Sequence, residues 1–145
     1  MHNPPTVIIV EPDPRRLSML TFALAAVARV AGYAGFQAGR ARLLGDPPEL
    51  LVTNVRLREY NGIHLVMLAP ASTRSVVYMD PEDPVLLREA QAVRAFVESP
   101  ERLLLSLPSY VGADLHLGDR RELRRFDRRT IARGGRRAAD AQVSV

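Results

Sequence analysis

The chain has 145 residues, of which 47% are hydrophobic and 25% are charged, a length and composition typical of one soluble globular domain. The absence of cysteine excludes disulfides and thiolate metal sites, and no apolar run approaches the roughly 20 residues that span a membrane. All 20 basic residues are arginine, which excludes any chemistry that needs a lysine ammonium.

Charge is distributed unevenly along the chain. Residues 1–110 hold 11 arginines and 11 acidic residues, whereas residues 111–145 hold nine arginines and five acidic residues. A segment with so few large apolar side chains cannot offset the entropy lost on ordering. We therefore expect one folded domain over 1–110 and a flexible or partly helical tail over 111–145. The N-terminus lacks a signal-peptide pattern, so we expect a cytoplasmic protein.

Short apolar runs alternate with helical patterns along residues 1–110. The first run, Thr6–Val10, is β-branched throughout and is typical of a strand buried on both faces. Asp13 before Pro14 predicts the N-cap and first residue of the helix that follows. Strands are predicted over 6–10, 29–34, 50–54, 74–79 and 95–98, and helices over 14–28, 36–44, 63–68, 85–92 and 101–107.

Two boundaries follow from breaker residues. Residues 56–62 are predicted to be a loop, and Pro108 is predicted to limit the last helix. Five strands alternating with helices predict a parallel sheet covered on both faces, with right-handed crossovers. Ligand-binding and catalytic residues of such sheets lie beyond the carboxyl ends of the strands. The third predicted strand ends at Asn54. An amide is a poor nucleophile and a poor metal ligand, so this position directs the functional interpretation.

The order of these parts resembles the receiver domain of two-component response regulators, over about residues 5–110. The resemblance rests on Glu11-Pro12-Asp13-Pro14 after the first strand, on Asn54-Val55-Arg56-Leu57 followed by Asn61-Gly62, and on Phe96 with Ser99-Pro100. It implies an α/β fold of the flavodoxin-like type, a (βα)5 doubly wound parallel sheet with strand order 2-1-3-4-5.

The resemblance also implies a phosphorylation pocket, from which this sequence departs. Two acidic residues after the first strand would hold Mg²⁺. Here Glu11 matches the first, while Pro12 stands at the second and has no ligand oxygen in its side chain. Asp13 could substitute only if the turn were rearranged. Asn54 stands where the family has its phosphate-accepting aspartate.

The remaining parts of the pocket are replaced as well. Met79 falls where the family has a Ser or Thr that binds the phosphoryl group, and Ser99 falls where it has a lysine. Phe96 matches the aromatic switch residue. Phosphoryl transfer needs a nucleophile, a metal held by anionic oxygens and preorganised donors. The sequence therefore predicts a degenerate pseudo-receiver that is not an enzyme and binds no metal or cofactor.

Each of these residues also has a plainer interpretation. Asn54 belongs either to a fixed, phosphorylation-independent pocket or to an ordinary hydrogen-bonded loop. Met79 either plugs the space left by metal and phosphate or simply packs. Phe96 is either a core aromatic residue or a rotamer switch. Glu11 and Asp13 either bind a cation weakly or form a solvated turn with an N-cap.

Two functions remain in view. The first is a pseudo-receiver that signals by protein–protein contact, and the resemblance places its partner face on the fourth helix, fifth strand and fifth helix, about Val85 to Leu107. A homodimer is left open. The resemblance also suggests a cis Ser99–Pro100 bond. An enzymatic function on this fold is disfavoured, because the sequence has no nucleophile–base pair and no cofactor motif.

The second function is a nucleic-acid-associated regulator that uses the tail as a binding arm. Arginines that neutralise phosphates release counterions, so such binding should weaken steeply with salt. An acidic protein surface would be a second kind of partner, and a solvated tail with no partner is the plain alternative. The candidate polyanion-binding residues are Arg120, Arg121, Arg124, Arg125, Arg128, Arg129, Arg133, Arg136 and Arg137.

Overall fold

The computed structural model describes residues 3–112, which alternate between strand and helix. The five main strands are β1 (Thr6–Val10), β2 (Arg29–Tyr33), β3 (Leu50–Asn54), β4 (Arg74–Tyr78) and β5 (Phe96–Val97). The five helices are α1 (Pro14–Leu24), α2 (Phe36–Gly45), α3 (Ile63–Leu68), α4 (Pro84–Ala92) and α5 (Pro100–Gly112).

The strands form one parallel sheet in the order β2-β1-β3-β4-β5. The predicted flavodoxin-like fold with strand order 2-1-3-4-5 is therefore confirmed. The register places Asn54 opposite Tyr78 and Val10 opposite both Tyr33 and Thr53. Because the strands are parallel, their carboxyl ends meet at one edge of the sheet, and Glu11 follows β1 at that edge.

Helices cover both faces of the sheet, which explains why the central strands are apolar without alternation. Val7 and Ile9 face the layer of α1 and α5, where they pack with Leu20 and Leu103. The opposite face of β1 packs against the layer of α2, α3 and α4. No helix within residues 3–112 is long and apolar enough to cross a membrane.

The structure departs most from the predicted elements in three places, while the other boundaries differ by at most one residue at each end. The predicted loop over 56–62 contains a small hairpin, in which Arg56–Leu57 pairs with Tyr60–Asn61. Helix α1 ends at Leu24 instead of continuing to about residue 28. Helix α5 continues to Gly112 with Pro108 inside it, so the predicted stop at that proline is wrong.

Tertiary contacts beyond Pro108 explain why α5 continues. A proline removes one backbone donor and strains the preceding turn. Tyr110 and Val111, however, are 1% and 2% exposed and belong to the core. Arg74 Nη1 also donates to the Tyr110 carbonyl oxygen at 2.9 Å. These contacts lie downstream of the proline and hold the last turn in place.

The predicted cis Ser99–Pro100 bond is wrong, because Asp80–Pro81 is the cis bond within residues 3–112. Pro100 is the first residue of α5, where its fixed φ suits the helix. The Ser99 carbonyl oxygen accepts from Arg102 N at 3.1 Å, a helix-entry geometry that the ordinary trans bond supplies. The resemblance to receiver domains therefore does not extend to the peptide geometry of this loop.

The predicted tail falls outside the described residues from 113 onward. All nine candidate polyanion-binding arginines lie in that segment. The predictions for the tail, both its order and its binding, therefore stay predictions.

Candidate functional site

Glu11 is an acidic residue at the edge of the sheet where the carboxyl ends of the strands meet. Its backbone N–H extends the β1–β2 ladder by donating to the Tyr33 carbonyl oxygen at 2.9 Å. Its side chain is 2% exposed, so the expectation of a solvated turn is wrong for this residue. Asp13 is exposed and caps α1 as predicted, accepting from Arg15 N at 3.1 Å.

Three donors converge on the Glu11 carboxylate. Oε1 accepts from Asn54 Nδ2 at 3.1 Å and from the Tyr78 hydroxyl. Oε2 accepts from Asp13 N at 2.8 Å. Arg16 Nη1 lies 4.0 Å from Oε1 and brings a positive charge to the same oxygen. A buried carboxylate is tolerated when its lone pairs are satisfied in this way.

Both ends of the Asn54 side chain are also engaged. Nδ2 donates to Glu11, and Oδ1 accepts from Arg56 N at 2.9 Å, while the residue as a whole is 8% exposed. A carboxylate at this position could accept from Arg56 but could not donate to Glu11. The amide therefore lets residues 11 and 54 bond directly, where two carboxylates would require a proton or a cation between them.

Tyr78 completes this network from the end of β4. Its side chain is fully buried. Burial raises the pKa of the Tyr78 hydroxyl, and the hydrogen bond to Glu11 and the negative charge of Glu11 raise it further, while Arg16 lowers it. The hydroxyl therefore stays protonated and donates to Glu11. From the sequence, Tyr78 is predicted only as a strand residue, because no local pattern places it beside Glu11, 67 positions away.

The other predicted pocket residues lie outside this hydrogen-bonded group. Met79 is 1% exposed and packs in the core layer of α2, α3 and α4. Pro12 is half-buried, and no hydrogen bond within residues 3–112 joins Ser99 to Glu11 or Asn54. Within the same residues, no cluster of three or more histidine, aspartate or glutamate side chains is arranged to hold a metal ion.

A second buried carboxylate lies one residue beyond β5 and was missed from the sequence. Glu98 is 3% exposed, and its Oε2 accepts from the Tyr110 hydroxyl at 2.6 Å. Burial raises the pKa of Glu98, although the hydrogen bonds from Tyr110 and Ser106 and the charge of Arg102 oppose the rise. The ring of Phe96 lies 5.3 Å from that of Tyr110 at 59°, so the predicted switch aromatic packs against α5.

No protein-family model matches the sequence, and neither does any curated protein sequence. Solved structures do match. The beryllofluoride-activated receiver domain of DrrB, a Thermotoga maritima protein, superposes with a TM-score of 0.63 at 17% identity, over 75% of this chain and 98% of that one. The response regulator domain of Thermotoga maritima CheB gives 0.63 at 14% identity, over 75% and 94%.

A longer protein matches in the same way. The Salmonella typhimurium response regulator RcsB superposes with a TM-score of 0.65 at 19% identity, over 77% of this chain. The chain spans 60% of the length of that RcsB structure. The chain has a receiver-domain fold. At this level of identity the likeness extends to architecture and not to chemistry.

The Glu98–Tyr110 pair predicts a pH-dependent stability. A carboxyl whose pKa is raised by folding stabilises the protein fully below its unfolded pKa, and that contribution is lost as pH rises through the folded value. Glu98→Gln removes the buried charge but keeps an oxygen that accepts from Tyr110. We expect the variant to be the more stable protein at pH 7 and to match the wild type near pH 4, about the unfolded pKa of glutamate.

Thermal unfolding at a series of pH values measures this difference. Glu101→Gln is the matched control, because Glu101 is an exposed glutamate on α5, the helix that carries Tyr110. A Glu98→Gln effect that is the same at every pH would show that charge at Glu98 is not the cause.

Proposed function

We propose that this protein is a non-phosphorylatable receiver-like signalling module that acts by protein–protein contact. The observation that carries the proposal is the use of both Glu11 oxygens by Asn54, Tyr78 and Asp13. A carboxylate that holds Mg²⁺ must present free lone pairs to the ion. Here three of the roughly four acceptor sites of the carboxylate already take hydrogen bonds from the protein itself, and Arg16 lies beside Oε1, so little of the carboxylate is left for an ion.

The chemistry of the neighbouring residues supports the same proposal. The Asn54 amide nitrogen is not a nucleophile, and its oxygen already accepts from Arg56 N. Met79 offers a thioether where a hydroxyl donor would be needed. No lysine exists anywhere in the chain to meet the charge of a transferred phosphoryl group. Each part that phosphoryl transfer needs is therefore missing or occupied.

The output surface proposed for this module is the α4-β5-α5 face, about Val85 to Leu107. Val85 on α4 is 54% exposed and Leu105 on α5 is 83% exposed. These two helices lie in opposite layers on either side of the edge strand β5. Large apolar side chains left in solvent are typical of a surface that a partner covers. The proposed partner is another protein, which includes a second copy of this chain in a homodimer.

Beryllofluoride or acetyl phosphate with Mg²⁺ tests the closed pocket directly. Because Glu11 and Asn54 are occupied, we expect the amide NMR spectrum to stay unchanged on addition of either reagent. Mg²⁺ alone and a phosphorylatable receiver domain treated in parallel are the controls. Saturable, Mg²⁺-dependent shifts around Asn54 would contradict the proposal.

A further inference from the structure

A cleft of about 390 Å³ lies at the edge of the sheet opposite the Glu11–Asn54 network. Arg74 and Ser75 open β4 at this cleft, whereas Tyr78 closes the same strand beside Glu11. The cleft is therefore separate from the receiver-like pocket. It is lined by Val66, Ala69, Pro70, Ala71, Ser72, Thr73, Arg74, Ser75, Val93 and Arg94.

The polar side chains of this lining are all able to donate hydrogen bonds, and none carries a negative charge. They comprise two arginines, two serines and a threonine, with no aspartate or glutamate. The Thr73 hydroxyl is used, since it donates to the Pro48 carbonyl oxygen at 2.6 Å. Ser75 is 6% exposed, and its hydroxyl has no hydrogen-bond partner within residues 3–112. A buried hydroxyl left unpaired beside a cleft indicates a missing hydrogen-bond partner, which an anion could supply as an acceptor.

Arg94 is held at this cleft by an unusual backbone conformation. Its φ is 67°, in the left-handed region that glycine normally supplies at the end of a helix. The N–H groups of Arg94 and Ala95 donate to the carbonyl oxygens of Gln91 and Ala90 at 3.0 and 3.1 Å. Because those carbonyls are used, the end of α4 offers a cation few free acceptors. Arg94, a cation, is itself one of the residues that line the cleft.

We propose that this cleft binds a small oxyanion, a phosphate or carboxylate group, through the Arg94 guanidinium and the Ser75 hydroxyl. Charge-assisted hydrogen bonds from arginine to such groups are stronger than hydrogen bonds between neutral groups. The apolar wall formed by Val66 and Val93 suits the carbon portion of a small organic acid or phosphate monoester. This site is separate from the closed pocket, whereas Val93 and Arg94 place one wall of it at the end of α4, on the border of the α4-β5-α5 face.

NMR titration of the full chain at constant ionic strength tests the site, with inorganic phosphate in one arm and benzoate in the other. Chloride balances the ionic strength and serves as the reference anion. We expect saturable amide shifts at residues 72–75 and at Arg94, with a dissociation constant on the order of 1 mM. The arm with the tighter binding distinguishes phosphate from carboxylate. Absence of saturable shifts in both arms, or shifts centred elsewhere, would overturn the proposal.

Two variants make the test specific. Arg94→Gly removes the guanidinium and suits the left-handed φ, so the fold is kept while binding weakens at least about tenfold. Ser75→Ala weakens binding without removing charge. Arg58→Gly is the matched control, since Arg58 has a φ of 59° but lies in the hairpin away from the cleft. Unchanged affinity in Arg94→Gly, or equal loss in Arg58→Gly, would refute the assignment.

Discussion

Asn54→Asp is expected to destabilise the protein by about 3 kcal/mol at pH 7, because it removes a buried hydrogen bond and creates a like-charge contact. The Asn54 amide donates to Glu11 across 3.1 Å. An aspartate of the same shape would place a second carboxylate oxygen at that distance. The variant restores the charge that receiver domains carry at this position, yet it should lower stability here.

Chemical denaturation of the variant and the wild type measures the loss. Two carboxylates in contact are relieved by one shared proton, so the deficit of Asn54→Asp should shrink as the pH is lowered toward about 4. Mg²⁺ should also recover part of the lost stability, because a cation that binds only the folded pair stabilises it by mass action. A variant as stable as the wild type at pH 7 would show that the contact is unimportant.

The exchanged pair, Glu11→Gln with Asn54→Asp, separates the hydrogen bond from the charge. The new amide at residue 11 can donate to the aspartate at residue 54, which keeps its bond from Arg56 N. The Tyr78 hydroxyl can turn and accept. We expect the double variant to recover more than half of the stability lost in Asn54→Asp. Equal stability of the two variants would mean that pairing between residues 11 and 54 does not hold the network.

The fold could be predicted because its signals are local. Short β-branched runs, helical spacing and the Asp13-Pro14 cap each lie within about ten residues and predict the elements, while the resemblance supplied the strand order that the sheet has. The Glu11 network could not be predicted, because its bonds join residues 43 and 67 positions apart. The amide at Asn54 indicated that the carboxylate needed for phosphoryl transfer is missing. Only the fold, however, places Tyr78 against Glu11.

The two wrong predictions at prolines have different origins. Pro108 is a local helix breaker, yet buried contacts of Tyr110 beyond it keep α5 intact. The Ser99–Pro100 expectation came from resemblance, whereas the local geometry is set by Pro100 opening α5. Tertiary packing outweighs a local preference in the first case, and helix entry outweighs family likeness in the second.

The backbone turn at Gly62 packs directly against the end of β3 at Asn54, which leaves no space for a side chain there. Gly62 N donates to the Val55 carbonyl oxygen at 2.8 Å, which folds the hairpin back over the end of β3. A Cβ at Gly62 would lie 2.2 Å from the Asn54 carbonyl oxygen and 2.8 Å from Thr53 Oγ1. Backbone cannot give way as a flexible side chain does, so either the turn or the end of β3 must move.

Gly62→Ala is therefore expected to cost about 3 kcal/mol of stability or more, since overpacking against backbone is at the upper end of such effects. The φ of Gly62 is −61°, which any residue adopts, so the loss would come from the clash alone. Denaturation gives the magnitude, and the amide shifts of Asn54 and Arg56 report whether the network opens. Gly35→Ala is the matched control, because Gly35 also caps a helix and a Cβ there meets nothing within 4 Å. If the two alanine variants were equally stable, the tight turn would not be what holds Asn54 against Glu11.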